Sequence, residues 1–333
     1  MYKRQNAVND DGTPALAIAI YRGNLQIVKL LLAAKAEVNC QDRDGDSPLS
    51  LAIDANYPQI LTELIAARAK INSHDFNGET PLTLATDKNS LASVKILVAA
   101  GADLNLATTA GETPLAIATA NGDRDIFNYL LEASADVNQA DEQGDTPLHL
   151  ATVEGYTPLV QCLLKAGAEI DKRNLLGDTP LMVACLQKYQ AIVQLLLEYG
   201  ADPNASNQGE TPLTLAIANN QTEIVRLLLS AGGDPNTRLT NGKTVLMQAG
   251  DRGDISIMKE LIEAGADVNL QDKAGATALM WASHRGYIDA VQVLLATQQV
   301  DLSIRNRGGY TALMLAEFNE YMEVAQLLKK AEG

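Results

Sequence analysis

The most constraining feature of this 333-residue sequence is a short motif that returns about every 33 residues from one end to the other. Its clearest copy is Gly-Asp-Thr-Pro-Leu-His-Leu-Ala at residues 144–151. The motif glycine recurs at Gly12, Gly45, Gly78, Gly111, Gly144, Gly177, Gly209, Gly242, Gly275 and Gly309. A fixed period of this size predicts repeated units that each pack on their neighbours, instead of one closed core.

The motif itself predicts the start of a helix. Thr146 offers a hydroxyl as the N-cap, and Pro147 suits the first helical position because an N–H there would have no partner. Leu148 and Ala151 then begin an apolar face. In the first unit the motif is shifted, so no N-cap is evident before Ala15.

A second helix is predicted in every unit. A segment such as 25–33, with apolar residues at Ile27, Val28, Leu31 and Leu32, gives one helical face. The turn before it lies eleven residues after the motif glycine, at Gly23, Asn56, Asn89, Gly122, Gly155, Lys188, Asn220, Gly253, Gly286 and Glu320. Gly and Asn tolerate the left-handed backbone that ends a helix, so each unit reads as helix, turn, helix and loop.

These features resemble those of the ankyrin-repeat family, whose signature Thr-Pro-Leu-His-x-Ala is matched at residues 146–151. The resemblance covers about ten repeats. It implies an all-α solenoid of helix-turn-helix units with projecting hairpin loops, in a single domain over residues 1–333. The family histidine, which links repeats, survives only as His149, so we expect apolar packing to hold the C-terminal repeats together. Methionine in its place, as at Met280 and Met314, is similar to prokaryotic ankyrin sequences.

Composition and charge favour a protein partner. The net charge of -15 and the isoelectric point of about 4.6 argue against nucleic acid and anionic lipid. There is no signal-peptide pattern and no run of about 18 apolar residues, so we expect no membrane insertion. Cys40, Cys162 and Cys185 lack the spacing of a disulfide or zinc framework, which indicates a cytoplasmic location.

No motif for catalysis, metal or cofactor binding is present. His74, His149 and His284 fall at unrelated positions of distant repeats. Residues 42–46, Asp-Arg-Asp-Gly-Asp, resemble a calcium loop, but the glycine is fourth and the twelfth residue is Ile53. Trp281 is predicted to pack in the core. We therefore predict that the chain is not an enzyme and holds no cofactor, with a small-ligand or catalytic site in the concave side as the alternative.

The resemblance implies that partners lie against the concave side, formed by the hairpin loops and the exposed edges of the first helices. The residue after the motif glycine is on this side and is acidic in six consecutive repeats, at Asp46, Glu79, Glu112, Asp145, Asp178 and Glu210. These carboxylates either stabilise the helix dipole, by about 0.3–1 kcal/mol each, or form an acidic stripe that steers a basic partner.

The charge changes along the chain. Residues 236–333 hold twelve acidic and ten basic residues, a net charge of -2, which leaves -13 for residues 1–235. The predicted binding side is thus acidic in the first seven repeats and more basic in the last three. The basic candidates are Lys243, Arg252, Arg285, Arg305 and Arg307.

Exposed apolar residues among these charges are candidate anchors for a partner. They are Leu175, Leu176, Tyr310 and Phe318, and the alternative for the leucine pair is packing on the neighbouring loop. We expect an interaction scaffold or adaptor that binds a basic protein and is itself a monomer. The alternatives are an assembly factor or a self-associating structural protein.

Overall fold

The computed structural model describes residues 6–332, and these form twenty short helices in ten pairs with only isolated β-bridges between them. This confirms the predicted all-α architecture of repeats. The helices are α1 (Ala15–Tyr21), α2 (Leu25–Ala33), α3 (Pro48–Asp54), α4 (Pro58–Ala66), α5 (Pro81–Asp87), α6 (Leu91–Ala99), α7 (Pro114–Ala120), α8 (Arg124–Glu132), α9 (Pro147–Val153), α10 (Thr157–Lys165), α11 (Pro180–Gln187), α12 (Gln190–Glu198), α13 (Pro212–Ala218), α14 (Thr222–Ser230), α15 (Val245–Arg252), α16 (Ile255–Glu263), α17 (Ala278–Arg285), α18 (Ile288–Ala296), α19 (Ala312–Phe318) and α20 (Met322–Glu332).

The helix pairs group into two compact units. The N-terminal unit comprises Met1–Glu169 with Arg173–Leu176, and the C-terminal unit comprises Ile170–Lys172 with Gly177–Gly333. Within each unit the first helix of a repeat packs on the first helix of the next, as α5 does on α7 and α15 on α17. The second helices pack on each other in the same way, as α4 does on α6 and α14 on α16. The single domain predicted for residues 1–333 stays a prediction.

The predicted N-caps are confirmed. The hydroxyl of Thr113 accepts a hydrogen bond from the N–H of Ala116 at 3.1 Å. The same cap is made by Ser47, Thr80, Thr179, Thr211, Thr244, Thr277 and Thr311. In α1 Pro14 takes the N-cap position and no side chain caps the helix, as its shifted motif indicates.

The core of each repeat is shared with its neighbours. In α8, a helix of nine residues, Ile126, Phe127 and Leu130 are fully buried, while the opposite side of the helix is exposed. Each such side chain contributes about 1.5–3 kcal/mol when it leaves water. Because one pair of short helices cannot cover its own apolar residues, adjacent repeats complete the core.

Polar links also join the repeats. In most loops the side-chain oxygen of an asparagine accepts the backbone N–H of a residue about one repeat further on, as Asn105 does from Asp136 at 2.8 Å. The equivalent acceptors are Asn39, Asn72, Asn138, Asp171, Asn204, Asn236 and Asn269. Asp171 departs from the asparagine pattern but keeps the acceptor. The C-terminal repeats are therefore held by these hydrogen bonds as well as by the apolar packing that the sequence predicts.

The turn between paired helices is left-handed in every repeat. All ten predicted positions have a positive φ, including Lys188 at 64° and Glu320 at 62°. The motif glycines also have positive φ, and at Gly111 a side chain is excluded for a second reason. A Cβ atom there would lie 2.9 Å from the backbone nitrogen of Glu142 in the next hairpin. These requirements explain why the glycines mark the period.

Replacing Lys188 with glycine should stabilise the chain. A left-handed backbone costs a residue with a side chain about 1–2 kcal/mol, part of which glycine loses again in conformational entropy. We expect a gain of about 0.5–1 kcal/mol in the unfolding free energy, measured by chemical denaturation. Lys188→Ala is the matched control, because it removes the lysine but keeps the backbone cost. An equal gain in both variants would contradict the explanation.

Replacing Asn105 with alanine should destabilise the chain by about 1 kcal/mol, because the N–H of Asp136 loses its acceptor. Asn105→Asp should retain most of the stability, since Asp171 performs the same role in another repeat. Denaturation of both variants checks this prediction. Equal losses in the two would show that the oxygen acceptor is not what matters.

Candidate partner-binding face

In each unit, the hairpin loops and the exposed edges of the first helices form a surface that we call the motif face. The loops are held by a carboxylate at their base. Asp75 accepts hydrogen bonds from the backbone N–H groups of Asn77 and Glu79, both at 2.9 Å. Asp42, Asp141 and Asp272 perform the same role in their own loops. These aspartates fix the hairpins, so their charge also has a structural use.

A groove on the motif face of the N-terminal unit lies between the two hairpins that precede α5 and α7. It has a volume of about 320 Å³ and is lined by the carboxylates of Glu79, Asp87 and Glu112. The apolar part of its floor includes Ile117. We call it the acidic groove. Its chemistry suits a cationic side chain.

The carboxylates on this surface repel one another. Burial, followed by the neighbouring Asp42 and Asp54, raises the pKa of Asp46. Burial and the nearby Asp75 and Asp87 likewise raise the pKa of Glu79, although Lys88 opposes this effect. Lys88 lies 3.4 Å from Asp54 in an exposed ion pair. Folding therefore places Asp46 and Glu79 where burial and neighbouring negative charges disfavour the ionised carboxylate.

The remaining acidic candidates differ in their surroundings. In the N-terminal unit, Glu112 is exposed, and Asp145 accepts a hydrogen bond from the side chain of Asn174 at 2.9 Å. In the C-terminal unit, Glu210 is exposed, and Asp178 accepts one from Asn207 at 2.8 Å. The structure thus places Asp46, Glu79, Glu112 and Asp145 in one unit and Asp178 and Glu210 in the other.

Three of the predicted basic residues make contacts inside the C-terminal unit. Lys243 Nζ lies 2.7 Å from Asp251 Oδ2, and Arg285 Nε lies 2.7 Å from Asp251 Oδ1. Burial raises the pKa of Asp251, but the hydrogen bonds from these two cations outweigh burial and hold the pKa below its ordinary value. Arg252 donates to the backbone oxygen of Ile217 at 3.1 Å, at the end of α13.

The other two basic candidates belong to the last hairpin. Arg305 Nη1 donates to the backbone oxygen of Gly309 at 2.6 Å and lies 3.6 Å from the sulfur of Met314. Arg307 is exposed, and its backbone N–H donates to the oxygen of Ala274 in the preceding hairpin at 2.9 Å. Arg305 and Arg307 therefore present positive charge at this edge of the unit.

The predicted apolar anchors are all exposed. Leu175 and Leu176 have 78% and 72% of their surface accessible at a hairpin tip of the N-terminal unit. In the C-terminal unit, Phe318 is 75% and Tyr310 43% exposed, and their rings are 6.4 Å apart. The two units thus each carry apolar residues on the motif face.

The sequence prediction for Trp281 was wrong. The side chain is only half-buried and lines a groove on the motif face, where its indole N–H donates to Asp272 at 3.0 Å. Its position lies six residues after the motif glycine, and Gln248 occupies the same position one repeat earlier. The polar side chain of Gln248 is the feature of the sequence that indicates an exposed position.

Residues 6–332 contain neither a metal-binding cluster nor a membrane-spanning helix. Within this range no group of three or more His, Cys, Asp or Glu residues is placed to hold a metal ion. No helix in the described part of the chain is long and apolar enough to cross a membrane.

Replacing Glu79 with glutamine should stabilise the chain at pH 7 and have no effect near about pH 3. Because the folded pKa is raised, the ionised carboxylate weakens the fold above that pKa. Stability therefore falls as pH rises from the unfolded to the folded pKa, and the whole penalty is present above both. Screening limits the gain to about 0.5 kcal/mol or less.

Denaturation at the two pH values checks this prediction, with Glu132→Gln as the matched control. Glu132 ends α8, away from the motif face, so its replacement should change stability less. A loss of stability in Glu79→Gln at pH 7 would show instead that attraction to the helix dipole dominates at this position.

Comparisons with known proteins agree with the repeat architecture. A family model described as "Ankyrin repeats (3 copies)" matches residues 3–75, 51–141, 101–174, 148–239 and 246–333. Among solved structures, the chain is similar to the ankyrin repeat domain of Bcl-3, described as a unique member of the IkappaB protein family. The two are 28% identical with a TM-score of 0.61, over 66% of this chain and 99% of that one. No curated protein matches the sequence significantly. The matches to the family model span nearly the whole sequence, and the chain belongs to the ankyrin-repeat family.

Proposed function

We propose that this chain is a non-enzymatic scaffold or adaptor that binds a partner protein bearing a basic patch. Ankyrin repeats are a protein-interaction fold, and the motif face of the N-terminal unit is the surface that we assign to the partner. The main support for this proposal is the crowding of carboxylates around Asp46 and Glu79, where burial and like charges raise both pKa values.

Two effects act on the carboxylates of the acidic stripe, and they shift the pKa in opposite directions. Stabilisation by a helix N-terminus favours the ionised carboxylate and therefore lowers its pKa. Burial and neighbouring carboxylates act in the opposite direction at Asp46 and Glu79, where they raise the pKa. Retaining charge where folding disfavours it supports a role in recognition.

The chemistry of this surface suggests how it recognises its partner. Lysine and arginine side chains fit the acidic groove between Glu79, Asp87 and Glu112. Exposed ion pairs contribute little affinity individually, so the charges mainly steer and orient the partner. Apolar contacts with Leu175 and Leu176 at the hairpin tip then supply the anchors.

The proposal also covers the cellular location and the oligomeric state of the protein. We assign it to the cytoplasm, because Cys40, Cys162 and Cys185 are free thiols, which suit a reducing compartment. We propose that it works as a monomer. The exposed leucine pair is the feature that favours the rival function, a self-associating or assembly protein.

Capture of partners from a lysate of the source cells tests the proposal. The immobilised chain is compared with the variant Glu79→Lys/Glu112→Lys and with Asp125→Lys/Glu132→Lys, which makes the same charge change on the outer helix α8. We expect the unmodified chain and the α8 variant to capture the same partner protein. The groove variant should lose it, and so should salt of about 0.5 M, where screening is strong.

Recovery of the same proteins by all three chains would contradict the role of the acidic groove. Recovery of the chain itself, with no other protein, would support self-association instead. The double leucine variant Leu175→Ser/Leu176→Ser then shows whether the hairpin tip mediates that contact.

A further inference from the structure

A second groove lies on the motif face of the C-terminal unit, between the hairpins that precede α17 and α19. It has a volume of about 200 Å³ and we call it the tryptophan groove. Its lining is mostly apolar and comprises Ala274, Ala276, Met280, Trp281, His284 and Leu315, with Asn306 at one side. A mostly apolar groove does not suit the cationic side chains of the basic partner proposed for the N-terminal unit.

The two grooves occupy equivalent places in the repeat but differ in chemistry. The position after the motif glycine is Glu79 in the acidic groove and Ala276 in the tryptophan groove. Nine residues after the glycine, Asp87 is replaced by His284. The same loop architecture therefore supplies two carboxylates in one unit and an apolar surface in the other.

The indole ring that lines the tryptophan groove is held firmly. Lys243 Nζ lies 3.3 Å from the centre of the Trp281 ring, and the indole N–H donates to Asp272 at 3.0 Å. His284 packs edge-on with its ring centre 6.4 Å away. A surface fixed before binding loses little conformational entropy when a partner arrives.

The rim of the groove is positively charged. Arg305 and Arg307 are exposed on the hairpin that precedes α19, whereas the side chain of Lys273 lies beside Gly242 in the hairpin that precedes α15. Asp272, the carboxylate nearest the indole, already accepts two backbone N–H groups and the indole N–H. Asp251 is shared between Lys243 and Arg285, and Asp272 balances the remaining positive charge of this pair, so the net positive charge of the rim comes from Arg305 and Arg307. Charge complementarity therefore favours an acidic partner here.

The size of the groove sets the size of what enters it. A volume of about 200 Å³ is smaller than the roughly 300–1,000 Å³ of typical small-molecule pockets, and it suits one large side chain. Beyond the groove, Phe318 and Tyr310 extend the exposed apolar surface along α19 and its hairpin. One inserted side chain therefore has apolar surface beside it.

We infer that the tryptophan groove docks a phenylalanine or leucine side chain carried by an acidic peptide segment of a partner protein. The inserted side chain contacts Trp281 and Met280, and a flanking carboxylate meets Arg307. This inference rests on the proposed interaction function, and it adds a second site whose partner chemistry is opposite to that of the acidic groove.

The fluorescence of Trp281 reports directly on this groove, because it is the single tryptophan of the chain. The probe is a tryptophan-free synthetic peptide of about twelve residues with one phenylalanine flanked by glutamates, titrated into the full chain. We expect a saturable change in emission. Replacing the phenylalanine with alanine, or the glutamates with lysines, should weaken binding by about tenfold or more.

Ala274→Glu should also weaken binding of the phenylalanine peptide about tenfold, because it places a carboxylate at the groove. Ala110→Glu is the matched control, since Ala110 also directly precedes a motif glycine, is exposed and lines the acidic groove. It should leave binding unchanged. An unchanged affinity in Ala274→Glu would overturn the assignment to this groove.

Two further outcomes overturn the inference. One is an emission that stays constant up to about 1 mM peptide, and the other is equal binding of the phenylalanine and alanine peptides. Either result leaves capture by the acidic groove unaffected, so it counts against this inference alone. Peptide binding in a chain that captures no basic protein would support this inference and reject the function proposed for the N-terminal unit.

Discussion

The structure depends on the burial of apolar side chains between one helix pair and the next. The helices have 7 to 11 residues, and isolated helices of that length are marginal in water. Each pair is stable only because neighbours cover residues such as Phe127 and Leu130. The asparagine hydrogen bonds then set the register of successive repeats, as the bond from Asp136 to Asn105 does. Stability is consequently shared along each unit, and no single repeat contains its own core.

This arrangement leaves the motif face free to vary. The hairpins are fixed by backbone hydrogen bonds to an aspartate such as Asp75, and the helix starts are fixed by hydroxyl caps such as Thr113. Neither constraint specifies the residue after the motif glycine, which is Glu79 in one groove and Ala276 in another. Among solved structures, 625 chains match this one, so the fold does not identify a partner. The partner must be inferred from the variable positions.

The sequence predicted the architecture well because its signals are local. The helix starts, the left-handed turns and the period each depend on residues close together in the chain, and even Lys188 adopts the turn that its position predicts. The candidate site was harder to predict because its contacts join different repeats. Asp251 reaches Arg285, 34 positions away, and only the folded structure shows that this aspartate neutralises part of the predicted basic surface. Trp281 was misplaced for a different reason, since the polar Gln248 at the equivalent position of the preceding repeat already indicates exposure.

The two units manage charge in opposite ways, and this difference has a consequence for binding. In the C-terminal unit Asp251 is satisfied by Lys243 and Arg285, and the pKa of its carboxyl is lowered. In the N-terminal unit burial, followed by neighbouring carboxylates, raises the pKa values of Asp46 and Glu79, and a cationic partner offsets the repulsive part of this effect. A partner that binds only the folded chain stabilises it by mass action, and relief of repulsion adds to its affinity. The acidic face therefore depends mainly on charge to recognise a partner, whereas the tryptophan groove combines apolar contact with a positively charged rim.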